Sequence, residues 1–119
     1  MYSQQVLDHF EHPRNAGDLP GATTVVDATN PVCGDILRLA VRVENGKVAE
    51  ARFKAQGCVT GMACASWVAE WMVGKNVGEL RRLTAAEIAA GLGGLAEATM
   101  HGAVLACDGV KMVAEKAGK

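Results

Sequence analysis

Asn45-Gly46 constrains this chain more than any other dipeptide in it. Set between two strand-like runs, Asn-Gly is the strongest short signal for a two-residue hairpin. It joins a strand over residues 35–44 to a strand over residues 47–56. In the second of these, Val48, Ala51, Phe53 and Ala55 alternate imperfectly with polar residues. Residues 23–28 are β-branched and predict a further strand, completing a three-stranded antiparallel meander. From Gly57 the hydrophobic period changes. Residues 59–73 are apolar almost all round, as in a buried helix, and Gly74 closes it. Strands first and helices after give an α+β fold, with helices packed on a small sheet.

The other helices follow from local signals. Ser3 caps a first helix over residues 3–12, with Val6, Leu7 and Phe10 on its apolar face, and Pro13 ends it. Residues 77–83 form a short helical turn. Thr84-Ala85-Ala86-Glu87 is a capping box opening a helix that ends near Gly91. The last helix spans residues 100–116, with Leu105, Met112 and Val113 on one face. At 119 residues, half of them apolar, the chain is expected to be a single domain, 1–119, around one core. Five aromatic residues (two Trp, one Tyr, two Phe) leave most packing to aliphatic side chains and Met.

Charge and hydropathy exclude some partners. A net charge of −1 with mixed signs offers no basic stripe for nucleic acid. No apolar run approaches the ~20 residues of a membrane span. Met1 leads into a polar, helix-like start rather than a secretory signal. Four cysteines in such a chain imply a reducing, cytoplasmic location, where they are ligands, reactive thiols or small core residues.

Asn30-Pro31-Val32-Cys33-Gly34-Asp35 carries the chemistry. Pro31 stiffens the turn and Gly34 frees it, so a thiol and a carboxylate are presented at the mouth of a strand. That suits a metal site or an activated thiolate better than a core. Cys58 stands at a strand-to-helix junction, where the positive end of a helix favours an anionic sulfur. His101 opens the last helix. Two cysteines, a histidine and an aspartate suit tetrahedral zinc or an iron–sulfur centre, and the spacing alone does not choose between them. His9 and His12 are expected at the surface. Cys64 and Cys107, inside apolar helices, are expected to be buried packing thiols. The chain has no Cys-x-x-Cys, no Walker loop and no Gly-x-Ser-x-Gly.

These residues resemble the iron–sulfur cluster assembly scaffold proteins, IscU and the amino-terminal domain of NifU. Pro13-Arg14-Asn15-Ala16-Gly17, Asn30-Pro31-Val32-Cys33-Gly34-Asp35, Gly57-Cys58, Glu70-Trp71, Gly74-Lys75 and His101 carry the likeness over nearly the whole chain. The resemblance implies a non-enzymatic scaffold. A cysteine desulfurase would supply sulfur, and iron would be bound. A [2Fe-2S] cluster would be built and passed to apo iron–sulfur proteins. It assigns Cys33, Asp35, Cys58 and His101 as ligands to the cluster or iron, and the donor set by its own chemistry also suits zinc in the same site. The alternatives are a zinc- or iron-binding paralogue that builds no cluster, or a sulfur-carrying thiol protein.

Two departures mark a divergent member. The family's third cysteine directly follows the histidine, and here that position is Gly102. Glycine there is expected to loosen the first turn of the last helix, by up to ~1 kcal/mol relative to alanine, and to leave His101 loosely held. The family's Leu-Pro-Pro-Val-Lys motif for a specialised Hsp70 chaperone is replaced by Leu95-Ala96-Glu97-Ala98-Thr99, so the likeness does not extend to that step.

Overall fold

The computed structural model describes residues 2–30 and 34–118. Asn45 and Gly46 both take left-handed backbone angles, with φ of 54° and 77°. A two-residue turn of this hand matches the natural twist of paired strands. It joins β2 (Ile36–Glu44) to β3 (Lys47–Gln56), and β1 (Thr24–Thr29) pairs antiparallel with the other side of β2. The strand order is β1-β2-β3, the expected meander. The imperfect alternation in β3 has a specific cause. Arg42 pairs with Glu50 but Val43 pairs with Val48, so Ala49 is an extra residue. This bulge shifts the phase, and Val48, Ala51 and Phe53 all reach the core.

Two helices cover one face of the sheet. α2 (Val59–Met72) packs on β3, and α5 (Met100–Ala117) packs on β1 and β2. Leu37, Leu39 and Val41 meet Val68, Met72, Val110 and Val113 in a core of aliphatic side chains. The opposite face of the sheet is charged, with Arg38 and Asp27 paired at 2.8 Å, and the loop at residues 17–20 lies over part of it, where Ala40 is buried. At the end of α5, Lys116 Nζ donates to the Val25 carbonyl of β1 at 2.9 Å. No helix among the described residues is long and apolar enough to cross a membrane.

α1 (Gln4–Glu11) is capped by Ser3, whose hydroxyl accepts from the Val6 amide and donates to the Leu92 carbonyl. Its inward stripe differs from the expected one. Val6 and His9 are buried, while Phe10 is 41% exposed. The stripe tilts toward His9 because α2 offers that ring a polar partner. α3 (Val77–Arg82) and α4 (Ala85–Gly91) follow α2, and a 3₁₀ turn at Glu97–Thr99 leads into α5. At Thr84 the hydroxyl accepts from the Glu87 amide and donates to the Glu87 carboxylate. The reciprocal capping box stands one helix earlier, between Asn76 and Glu79. On α5, Leu105 and Val113 are buried as expected, but Met112 is 38% exposed. The buried stripe runs instead through Ala106, Gly109 and Val110, because small residues let α5 lie close to the sheet.

Candidate metal centre

Three donors converge where the sheet meets the starts of two helices. Asp35 stands just before β2, where its carbonyl accepts from the Asn30 amide at 2.9 Å. Its side chain is only 11% exposed. Gly57 makes the room it occupies, since a Cβ at that position would lie 2.5 Å from Asp35 Cγ. Cys58 is the N-cap of α2, and its sulfur accepts from the Gly61 amide at 3.3 Å. His101 lies in the first turn of α5. Its Nδ1 is 3.2 Å from the Ala98 carbonyl. A carbonyl only accepts, so Nδ1 carries a proton, and in the neutral ring Nε2 is the nitrogen with the lone pair. The expectation that Gly102 leaves His101 loosely held is corrected here. The 3₁₀ turn ahead of α5 supplies the carbonyl that orients the ring, and Gly102 itself is buried.

Cys58 Sγ lies 3.7 Å from Asp35 Oδ2 and 3.7 Å from His101 Nε2, and the last two atoms are 4.0 Å apart. Bonds of about 2.0–2.3 Å to one tetrahedral ion place its donors about 3.3–3.8 Å from one another. The two sulfur spacings fall in that range, and the nitrogen–oxygen spacing exceeds the ~3.3–3.5 Å of such a pair by about half an ångström. All three ligand atoms lie within 4.8 Å of one another. Sulfur, nitrogen and oxygen donors in this arrangement suit zinc or iron rather than calcium or magnesium. Behind Asp35 is a cavity of about 10 Å³, close to the size of one water, walled by Gly57, Gly61 and Gly102.

Cys33, the remaining ligand expected from the sequence, lies outside the described residues. Cys64 and Cys107 are buried as expected. Burial pushes the Cys64 thiol up to about 12. Cys107 faces the Leu83 carbonyl at 3.4 Å and takes no part in the site. His12 is exposed, but His9 is not. The His9 ring is buried, and its Nδ1 meets Ser66 Oγ at 2.8 Å. The Arg14 amide donates to the same Ser66 oxygen at 2.8 Å. Sequence reasoning missed this tie because its members come from α1, the turn after it and α2. Only the departure of His9 from an otherwise apolar stripe hinted at it.

Residues 1–117 match the NifU-like N terminal domain family. The chain belongs to that family. Among curated members, it is 36% identical over 111 residues to iron-sulfur cluster assembly scaffold protein IscU 1 of Archaeoglobus fulgidus, covering 93% of this chain and 72% of the relative. It is 39% identical over 116 residues to the IscU scaffold protein of Azotobacter vinelandii, covering 92% and 88%. A solved NifU-like N-terminal structure from Brucella abortus superposes with a TM-score of 0.78 at 17% identity, covering 95% of this chain and 91% of that one. At that identity the likeness speaks for the NifU-like fold alone. That fold is the three-stranded antiparallel sheet with helices packed on it.

Proposed function

We propose that this chain is a scaffold on which an iron–sulfur cluster is assembled and then passed to apo-proteins. The observation that carries the reading is the convergence of Asp35 Oδ2, Cys58 Sγ and His101 Nε2 within 4.8 Å in a member of the NifU-like N terminal domain family. Relatives at 36–39% identity are named iron-sulfur cluster assembly scaffold proteins. In this reading iron and sulfide are cargo. Cys33, Asp35, Cys58 and His101 hold the cargo as iron or a [2Fe-2S] cluster, and the chain turns over no substrate of its own. A cysteine desulfurase is the expected sulfur source.

The donor set explains a temporary hold. Thiolate is a soft donor and binds iron firmly, whereas carboxylate is harder and binds a cluster less firmly. Cys58 is solvent-accessible, so cargo can enter and leave on that side, while buried Asp35 anchors the other. With glycine at position 102, the set has one thiolate fewer than the family pattern, which weakens retention further.

Anaerobic reconstitution with ferrous iron and sulfide tests the reading. Visible sulfide-to-iron charge-transfer absorbance is expected in the wild type, and Cys58→Ser should abolish most of it. Colourless protein holding one equivalent of zinc would instead establish a metal-binding paralogue that builds no cluster.

A further inference from the structure

Two glycines meet where α5 seats against α2. Gly102 directly follows His101, and Gly61 lies in the first turn of α2, three residues after Cys58. A Cβ at Gly102 would lie 3.2 Å from both the Cα and the amide nitrogen of Gly61, and 3.4 Å from the Thr60 carbonyl carbon. Carbon atoms in comfortable contact stay ~3.5–4.0 Å apart, so even a methyl group at 102 presses on the backbone of α2. The Gly61 amide under that pressure is the one that donates to Cys58 Sγ. From the other side, a Cβ at Gly61 would lie 3.2 Å from Asp35 Oδ2 and 3.6 Å from Cys58 Sγ.

Neither glycine is required by its backbone, because both sit in helices and neither has a positive φ. Glycine is among the poorest helix formers. Two of them facing each other where the starts of the donor-bearing helices meet therefore need a tertiary reason. We infer that Gly61 and Gly102 are positioning residues for the metal centre. The bare Gly102 sets how deeply α5 seats on the first turn of α2, and the bare Gly61 leaves room for Asp35 Oδ2 and Cys58 Sγ, so that together they hold the donors at the spacing of ligands to one ion. A Cβ at Gly102 pushes the start of α5 away from α2 by a few tenths of an ångström, and one at Gly61 pushes on the Asp35 carboxylate and the Cys58 sulfur directly. Metal–ligand distances tolerate only ~0.2 Å. The inference rests on Asp35, Cys58 and His101 being a donor set, as proposed above.

The test is an anaerobic Co²⁺ titration of the full chain, read by the thiolate-to-cobalt charge-transfer band and the visible bands that report tetrahedral geometry. Wild type, Gly102→Ala, Gly61→Ala and Cys58→Ser are compared. Gly109→Ala is the packing control, since a Cβ there meets the Leu39 and Leu37 side chains at 3.1 and 3.2 Å, against the sheet. Gly102→Ala and Gly61→Ala are each expected to weaken Co²⁺ binding about 10–100-fold and to lose tetrahedral band intensity. Gly109→Ala should shift melting temperature while keeping the wild-type spectrum. Two alanine variants are used so that a folding failure in one leaves the other to decide. If a folded alanine variant binds Co²⁺ like wild type with the same spectrum, the positioning role is wrong while the donor set stands. If wild type itself shows no thiolate band, or Cys58→Ser keeps it, the donor set fails and the positioning role goes with it.

Discussion

His9 Nδ1 and Ser66 Oγ lie 2.8 Å apart, tying α1 to the middle of α2. Because Ser66 Oγ already accepts from the Arg14 amide, its own proton is free to point at the imidazole. Burial holds His9 below the ordinary imidazole value of 6.5, and the Arg14 cation adds to this, against the opposing carboxylates of Glu70 and Asp8. A histidine with a depressed folded value contributes stability above its unfolded value and loses it as pH falls through the folded one. Melting temperature should therefore be flat above about pH 6.5 and fall below it. His9→Gln should flatten that acid limb in thermal melts followed by circular dichroism. An unchanged slope would place the acid sensitivity elsewhere.

Ser66→Ala removes the shared oxygen and strands both the imidazole and the Arg14 amide in a buried setting. Leaving buried polar groups unpaired costs about 1–3 kcal/mol. A urea midpoint lowered by that amount is expected, with the denaturant slope unchanged. A loss well under 1 kcal/mol would mean that water replaces the serine.

At Gly57 an added Cβ would fall 2.5 Å from Asp35 Cγ, too close for the carboxylate to stay. Gly57→Ala should displace Asp35 from the centre and weaken zinc binding by about 10-fold or more in a competition assay with a chromophoric chelator. Retained affinity would show that Asp35 is not needed to hold the ion.

Gly91 supports Trp67 rather than the metal centre. A Cβ there would lie 2.4 Å from the Trp67 ring, whose neighbour Trp71 stacks with it at a centroid distance of 6.2 Å. Gly91→Ala should shift tryptophan emission and destabilise the fold by about 1–3 kcal/mol through overpacking, with Co²⁺ binding intact.

Thiol accessibility separates the cysteines. In folded protein at neutral pH, Cys58 should alkylate readily, while Cys64 and Cys107 remain unmodified until denaturant is added. Cys64 has no solvent exposure and a thiol pushed up to about 12, so its thiolate is vanishingly rare at pH 7. Mass spectrometry after a short iodoacetamide pulse reads this directly. Early labelling at Cys64 or Cys107 would mean that α2 or α5 opens in the native state.

The parts of this molecule that could be read from sequence are those set by local chemistry. Asn45-Gly46 specifies its turn without help from the rest of the chain. Asp35, Cys58 and His101 stood out because each sits where one element hands over to the next. Contacts distant in sequence left weaker traces. His9 looked like a surface residue because a polar side chain on a short helix usually is one, and its partner is 57 positions away. The hydrophobicity of Phe10 and Met112 points them inward, yet the faces they occupy are turned out by the way α1 and α5 dock. The clearance around Gly57 and Gly61 is set by the Asp35 side chain from another element, and that around Gly102 by the distance between helices, neither of which a residue pattern encodes.

The reach of Lys116 to the Val25 carbonyl affects how copies of this chain behave toward one another. Among the described residues, β1 has a sheet neighbour on one side only. The Asn30–Asp35 hydrogen bond sets an alternation that turns Val25's carbonyl away from β2, toward any strand that might add there. Unpaired strand edges are templates for aggregation, and lysine is a common guard against it. An incoming strand must displace a charge-assisted hydrogen bond and settle beside an ammonium group. A chain clipped just before Lys116 would keep Val110, Val113 and Ala114 in its core, so it should melt almost normally. Its defect would appear as turbidity that grows with protein concentration.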